Sequence, residues 1–359
     1  MGDVDNDGDI DVFATFGADP SALYINDGSG VFVDDGAARG VADTAVFSRL
    51  GCAFGDADGD GHIDLALAGV TTASTLFINT GGGVFVDDTE SRGVTSVSGS
   101  RMGAAWGDVD DDGDEDLVMC GTTPGLGLDA FVNDGEGVFT DETLTWIVSN
   151  NSACNQVLFF DVDGDKRLDL FVATSGATPD LLFVNTGGAF EERGTGVGLG
   201  AVEAPSQLAG AVLFDFEHDG DVDVAVAEVS GFHSLWVNDG ALGFSNRAHA
   251  LRFSVGTSAV IVAGDLDGDG DVDLLTQRSP TVFLNQNGRP SVPNWAVVYP
   301  LSTACGQSAT GAVVTLRAAA SGWTAARVIG GAGFMCQNAY GAHFGLPDVD
   351  DVYAVAVAW

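Results

Sequence analysis

The chain has 359 residues, enough for one large repeat array or for two domains. It carries 52 acidic against 13 basic residues, a formal charge of −39, yet 45% of it is apolar. A core can therefore form, and the acidity is a solvated surface or a set of cation sites rather than the mark of disorder. The same balance excludes nucleic acid, which needs clustered Lys and Arg, and no apolar run of about 18 residues is present to cross a membrane as a helix.

From the N-terminus onward, the pattern D-x-[DE]-x-D-x-x-x-D begins at Asp3, Asp56, Asp108, Asp161, Asp215 and Asp265, at intervals of 53, 52, 53, 54 and 50 residues. A second marker runs in step: Leu23–Asn26, Leu76–Asn79, Ala130–Asn133, Leu182–Asn185, Leu235–Asn238 and Val282–Asn285. In the first five copies a Gly-rich turn and a further Phe follow. Two markers at one period define an internal repeat. In the second copy, Leu50–Phe54 leads into the Asp loop, Asp64–Ala68 leads out, and Thr75–Ile78 and Val84–Val86 follow. Each run is β-branched, aromatic or small and is bounded by Gly, Asn or Asp, so each predicts a short strand. Helical periodicity is not sustained anywhere. The sequence thus predicts an all-β chain: a β-propeller of six four-stranded blades over residues 1–290, then a small β domain over 291–359.

Each Asp loop has a chemistry of its own. In Asp56-Ala57-Asp58-Gly59-Asp60-Gly61-His62-Ile63-Asp64, carboxylates at positions 1, 3, 5 and 9 can converge if the chain turns sharply at position 6, where Gly tolerates positive φ. All-oxygen ligands in a flexible loop suit Ca²⁺, and the first six positions match the start of an EF-hand loop. The candidate ligands are Asp3, Asp5, Asp7 and Asp11 in the first loop and Asp56, Asp58, Asp60 and Asp64 in the second. They continue as Asp108, Asp110, Asp112 and Asp116, then Asp161, Asp163, Asp165 and Asp169. The fifth loop offers Asp215, Glu217, Asp219 and Asp223, and the sixth Asp265, Asp267, Asp269 and Asp273. Asp and Gly also make ordinary turns, but that explains one or two acids per turn, not four at fixed spacing six times over. One Ca²⁺ per loop, up to six, is the expectation. Lys166 replaces the position-6 Gly of the fourth loop, which makes that loop the weakest candidate. At about 1 mM Ca²⁺, sites with Kd of about 10⁻⁴ to 10⁻³ M would each contribute roughly 0.4–1.4 kcal/mol.

These loops, with the preceding Phe54-Gly55 and Trp106-Gly107, resemble the FG-GAP/VCBS repeats of integrin α-type propellers and bacterial surface proteins over about residues 3–290. The resemblance implies Ca²⁺ at the Asp positions on one propeller face. The tail resembles an ASPIC/UnbV domain of the cartilage acidic protein family in Thr310–Leu316, Gly331–Gln337, His343–Leu346 and Val352–Trp359. It implies a secreted binding protein. The first copy lacks a strand before its loop, and the tail stops where similar domains continue with Pro and Gly. A fragment of a seven-bladed parent, without its signal peptide, is the expectation, and a closed six-bladed ring is the alternative.

The five Cys suggest no disulfide scaffold: Cys52, Cys120 and Cys154 read as small buried residues on strands, and a Cys305–Cys336 bridge is left open. The five His are scattered without a repeated partner, and no G-x-S-x-G, HExxH or Walker motif occurs. The expected role is extracellular, as a protein- or glycan-binding or adhesion module rather than an enzyme. A propeller-type polysaccharide lyase or glycan hydrolase, or a lectin, is the competing reading. Six Trp out of register with the repeat count against the lectin.

Overall fold

The computed structural model describes residues 1–16, 20–41, 49–70, 73–94, 100–122, 127–147, 152–174, 178–194, 196–199, 209–229, 233–240, 242–251, 253, 258, 260–277, 281–285, 295–298, 313–328, 342–346 and 352–358. Blade 2 has four antiparallel strands in sequence order across the sheet, Arg49–Gly55, Asp64–Gly69, Thr75–Asn79 and Phe85–Asp87. Blade 3 repeats this as Arg101–Gly107, Asp116–Gly121, Leu128–Asn133 and Phe139–Asp141. Blade 4 comprises Cys154–Phe160, Asp169–Thr174, Leu181–Asn185 and Phe190–Glu192, and blade 5 Ala209–Phe214, Asp223–Glu228, Ser234–Asn238 and Phe244–Asn246. Blades 1 and 6 show three strands each: Val12–Ala14, Ala22–Asn26 and Phe32–Asp34, then Ile261–Gly264, Asp273–Thr276 and Thr281–Phe283. This is the β-propeller architecture.

The register explains where the acids go. In blades 2 to 6 the last residue of the first strand pairs with the position-9 Asp, as in Gly55↔Asp64, Gly107↔Asp116 and Phe160↔Asp169. The Asp loop is therefore the hairpin between the first and second strands, and every copy emerges at the same end of its blade. In blades 2 to 5 the second strand is buried along its whole length, as in Asp64–Gly69 and Asp169–Thr174, because neighbouring blades cover both faces. Its unbroken apolar run, rather than alternation, is what such a position selects.

The core lies between blades. One cluster joins blades 1 and 2 through Leu23, Phe54 and Leu65, and the next joins blades 2 and 3 around Trp106 and Phe131. Two more carry the packing on to blade 6. First strands of adjacent blades come very close: a Cβ on Gly51 would lie 2.2 Å from the Met102 carbonyl oxygen. Across the seam of blades 4 and 5, Gln156 both donates to the Ala211 carbonyl (3.1 Å) and accepts from its N–H (2.7 Å).

One expectation is corrected here. Cys120 and Cys154 are buried on strands, but they form a disulfide, with Cα atoms 5.7 Å apart, that staples blade 3 to blade 4. Their separation of 34 residues hid the pairing, since it depends on two blades lying side by side. Cys305 and Cys336 lie outside the described residues.

In the tail, Trp295–Val298 pairs with Ala342–Gly345, and Val313–Ala318 sits between Thr324–Val328 and Tyr353–Ala358. Val314, Leu316 and Phe344 form its buried centre. The Gly331–Gln337 segment lies outside the described residues.

Candidate metal centres

Every loop is wound by the same backbone bonds. The position-1 carboxylate accepts from the position-6 N–H at 2.9–3.0 Å in all six copies. The position-5 carboxylate accepts from the position-7 N–H at 2.8–3.1 Å. Position 6 has positive φ throughout, including Lys166 at 77°. Position 4 does too, a second left-handed site that the sequence reading missed: Asn6, Gly59, Asp111, Gly164, His218 and Gly268 stand there. Gly, Asn, Asp and His are the residues that tolerate this region, so composition at position 4 carried the signal.

Position 9 is the structural centre of each loop. One oxygen accepts from the position-2 N–H at 2.6–2.9 Å. The other accepts from the N–H of the marker Asn at 2.7–2.8 Å. That Asn in turn donates to the position-2 carbonyl of the preceding blade, as Asn79 does to Val4 and Asn133 to Ala57, both at 2.8 Å. The two sequence markers are thus a single hydrogen-bonded device that ties loop, third strand and neighbouring blade together.

Four loops gather acids from positions 1, 3 and 9: Asp3, Asp5 and Asp11; Asp56, Asp58 and Asp64; Asp108, Asp110 and Asp116; Asp161, Asp163 and Asp169. In each set one oxygen per residue lies within 4.8 Å of the others. The sixth loop gathers Asp265, Asp267 and Asp269 instead. Position 5 stands outside the set in the first four loops, so Asp7, Asp60, Asp112 and Asp165 serve there as turn formers. In the first two loops Oδ1 of Asp5, Asp56 and Asp58 is buried without a hydrogen-bond partner. Buried, unpartnered carboxylate oxygens grouped this closely fit a hard divalent cation such as Ca²⁺.

Burial and neighbouring carboxylates push these groups up against the pull of their backbone donors: Asp64 and Asp223 to about 8, Asp116 and Asp169 to about 7, Asp11 and Asp56 to about 6. A bound cation inverts this logic by favouring the ionised forms.

Two arginines that the sequence reading passed over complete the first two centres. Arg39 donates from Nη2 to Asp5 (3.0 Å), from Nε to Asp35 (3.1 Å) and from Nη1 to the Gly82 carbonyl of the next blade (2.7 Å). Arg92 makes the same three bonds, to Asp58 (2.8 Å), Asp88 (2.9 Å) and the Glu136 carbonyl (2.8 Å). The repeated Arg39-Gly40-Val41 and Arg92-Gly93-Val94 carried this signal. Glu115 stands at position 8, where the other five loops have Ile, Leu or Val, accepts from the Asp56 N–H at 2.7 Å and so lies between the second and third centres. Its carboxyl is pushed up by burial.

The fifth loop differs. Among the described residues Asp215, Glu217, Asp219 and Asp223 form no such group. Asp215 accepts from Arg327 of the tail at 3.3 Å, and Glu217 from Arg247 at 3.1 Å. Arg247 on Glu217 repeats the Arg39–Asp5 and Arg92–Asp58 contacts of the first two loops, so the fifth loop is set apart by the Arg327 guanidinium on its position-1 carboxylate and by acids that do not gather, and this donor set does not fit a divalent ion.

The FG-GAP-like repeat model matches residues 3–67, 56–119, 161–226 and 215–276, more than half of the chain. The chain belongs to the FG-GAP-like repeat family. The ASPIC and UnbV model matches residues 302–359 of this FG-GAP-like chain. Among curated proteins it is similar to cartilage acidic protein 1 of Mus musculus, 26% identical over 248 residues, covering 64% of this chain and 37% of the relative. It is also similar to cartilage acidic protein 1 of Homo sapiens, 25% identical over 292 residues, covering 76% and 42%. The chain thus spans about two fifths of these relatives. A solved Agrocybe aegerita lectin that recognises non-reducing terminal N-acetylglucosamine is similar at 18% identity and a TM-score of 0.46, over 80% of this chain and 76% of that one.

Proposed function

We propose that this FG-GAP-like propeller is an extracellular, calcium-stabilised binding module for a protein or glycan, and not an enzyme. The observation that carries the calcium reading is the acid triad repeated at positions 1, 3 and 9 of four successive loops, with buried unpartnered oxygens in the first two. Asp5, Asp58 and their counterparts would hold the ion, which would neutralise each cluster and pin the hairpin to its blade. The Cys120–Cys154 disulfide supports an oxidising compartment, as does the similarity to cartilage acidic protein 1. Sites of this class fill at extracellular calcium levels.

Binding rather than catalysis is supported by how the histidines are used. His62 Nδ1 meets Asn6 at 2.7 Å, His233 Nδ1 accepts from the Glu228 N–H at 3.1 Å, and His343 meets the Gly270 carbonyl at 3.0 Å. All three hold backbone or loops in place. The deciding experiment screens the protein on glycan and extracellular-protein arrays with 2 mM Ca²⁺ (about the top of the range for such sites) and with chelator. Calcium-dependent retention of one ligand class is expected. Turnover of a polysaccharide without stable retention would overturn the reading in favour of a lyase or hydrolase.

A further inference from the structure

The tail domain sits on the loops of blades 5 and 6 through a small set of directed contacts. Arg327 donates from Nη1 and Nη2 to the Gly220 carbonyl, each at 3.3 Å, and from Nη2 to the buried Asp215 carboxylate at 3.3 Å. Its guanidinium carbon lies 5.2 Å from the centre of the Phe344 ring, which backs it from within the tail. Trp323 Nε1 donates to the Asp219 carbonyl at 3.3 Å, and its ring covers Gly220 so closely that a Cβ there would lie 2.5 Å away. On blade 6, His343 meets the Gly270 carbonyl at 3.0 Å and stacks on Trp295, whose ring covers Gly270. The two position-6 glycines, which turn the Asp loops, are thus also the seats for two tail tryptophans.

We propose that the fifth loop is a docking site for the chain's own C-terminal β domain, with the Arg327 guanidinium standing where the other loops are built for a divalent ion. Three observations converge. The fifth loop alone has Glu at position 3. It is the loop whose acids do not group. The position-1 carboxylate accepts backbone N–H groups in every loop, and here it also takes a fixed positive charge from 112 residues away. Here the guanidinium occupies the position-1 carboxylate, where a divalent ion held by the same oxygens would be repelled at short range, whereas Arg39 and Arg92 take one oxygen of the position-3 acid and leave the other unpartnered. Docking and metal binding at this loop are therefore mutually exclusive. At this loop the propeller holds its tail without calcium.

This rests on the calcium reading only for the ion count, and the test separates the two. In the full chain under chelator, Arg327→Gln should speed hydrogen exchange of the 215–221 and 324–328 segments by about tenfold or more, the scale of one lost charge-assisted bond. Asp215→Asn, which approaches the contact from the propeller side, should do the same. Unchanged exchange in both overturns the docking. Equilibrium dialysis with calcium should then give Asp215→Asn the same ion count as the unmodified chain, while Asp265→Asn loses one ion. Loss of an ion in Asp215→Asn overturns the proposal. An unmodified chain that binds no calcium overturns the calcium reading instead, and leaves the exchange result to decide the docking.

Discussion

Lys166 shows how much one side chain can weigh. It sits at φ 77°, where its five counterparts are Gly, and a residue with a Cβ loses roughly 1–2 kcal/mol in that region. Lys166→Gly relieves that strain and removes one positive charge from the loop. Calorimetry should show tighter calcium binding at the fourth loop, and an unchanged affinity would mean that position 6 does not limit this site. Asp58 carries two duties, since one oxygen holds Arg92 and the other is buried and unpartnered. Asp58→Ala should lose one calcium and also strand Arg92, whereas Asp60→Ala, at a turn-forming position, should keep the ion. Paired ion counts on the two variants check this, and equal losses would put position 5 among the ligands.

At the scale of the blade, stability rests on bonds that cross from one repeat to the next. Asn133 donates to the Ala57 carbonyl of the preceding blade (2.8 Å) and to the Glu115 carbonyl (3.0 Å). Asn133→Ala leaves two carbonyls short of a donor, at about 1–3 kcal/mol each for buried groups. Urea unfolding should therefore lose about 2–6 kcal/mol. The Cys120–Cys154 staple acts through the unfolded chain: closing a 34-residue loop removes entropy worth roughly 3–4 kcal/mol. Cys120→Ser with Cys154→Ser should lower stability by that order, with calcium binding at the first two loops retained. A double variant as stable as its parent would mean the bridge contributes nothing.

For the molecule as a whole, the acid clusters should make stability depend on calcium and pH together. Asp64 and Asp223 are held up to about 8 in the folded chain against 3.8 when free. Folded protein therefore keeps protons that the unfolded chain has lost, and the stability this provides disappears as pH rises toward 8. His233, pushed down by burial to about 4 from 6.5, is mainly neutral in both states above pH 6.5 and adds little there. Between pH 6.5 and 8 the chelated protein should melt at progressively lower temperature. Calcium, which needs ionised carboxylates, should bind more tightly over the same interval. The gap in melting temperature between calcium and chelator should widen with pH, and a constant or shrinking gap in scanning calorimetry would count against the metal centres.

The local features of this protein were legible in its sequence because their causes lie within a few residues of one another. The repeat period, the strand runs, the left-handed turn at position 6 and the convergence of Asp56 with Asp58 all follow from neighbours in the chain. Position 4 was legible in the same way, from its Asn, Asp, His and Gly, and went unread. Other features needed the blades to be placed side by side. Asp64 as a backbone acceptor and Asn79 as a tie to the preceding blade depend on a partner strand, and Arg39 and Arg92 depend on a turn about 43 residues ahead. The disulfide joins two strand ends that meet only because blades 3 and 4 are adjacent. The fifth loop is the extreme case: its sequence is close to that of a metal site, and its charge is balanced by an arginine 112 residues away. Spacing along the chain fixes which groups can converge, but only the packing of distant segments decides which charge arrives to meet them.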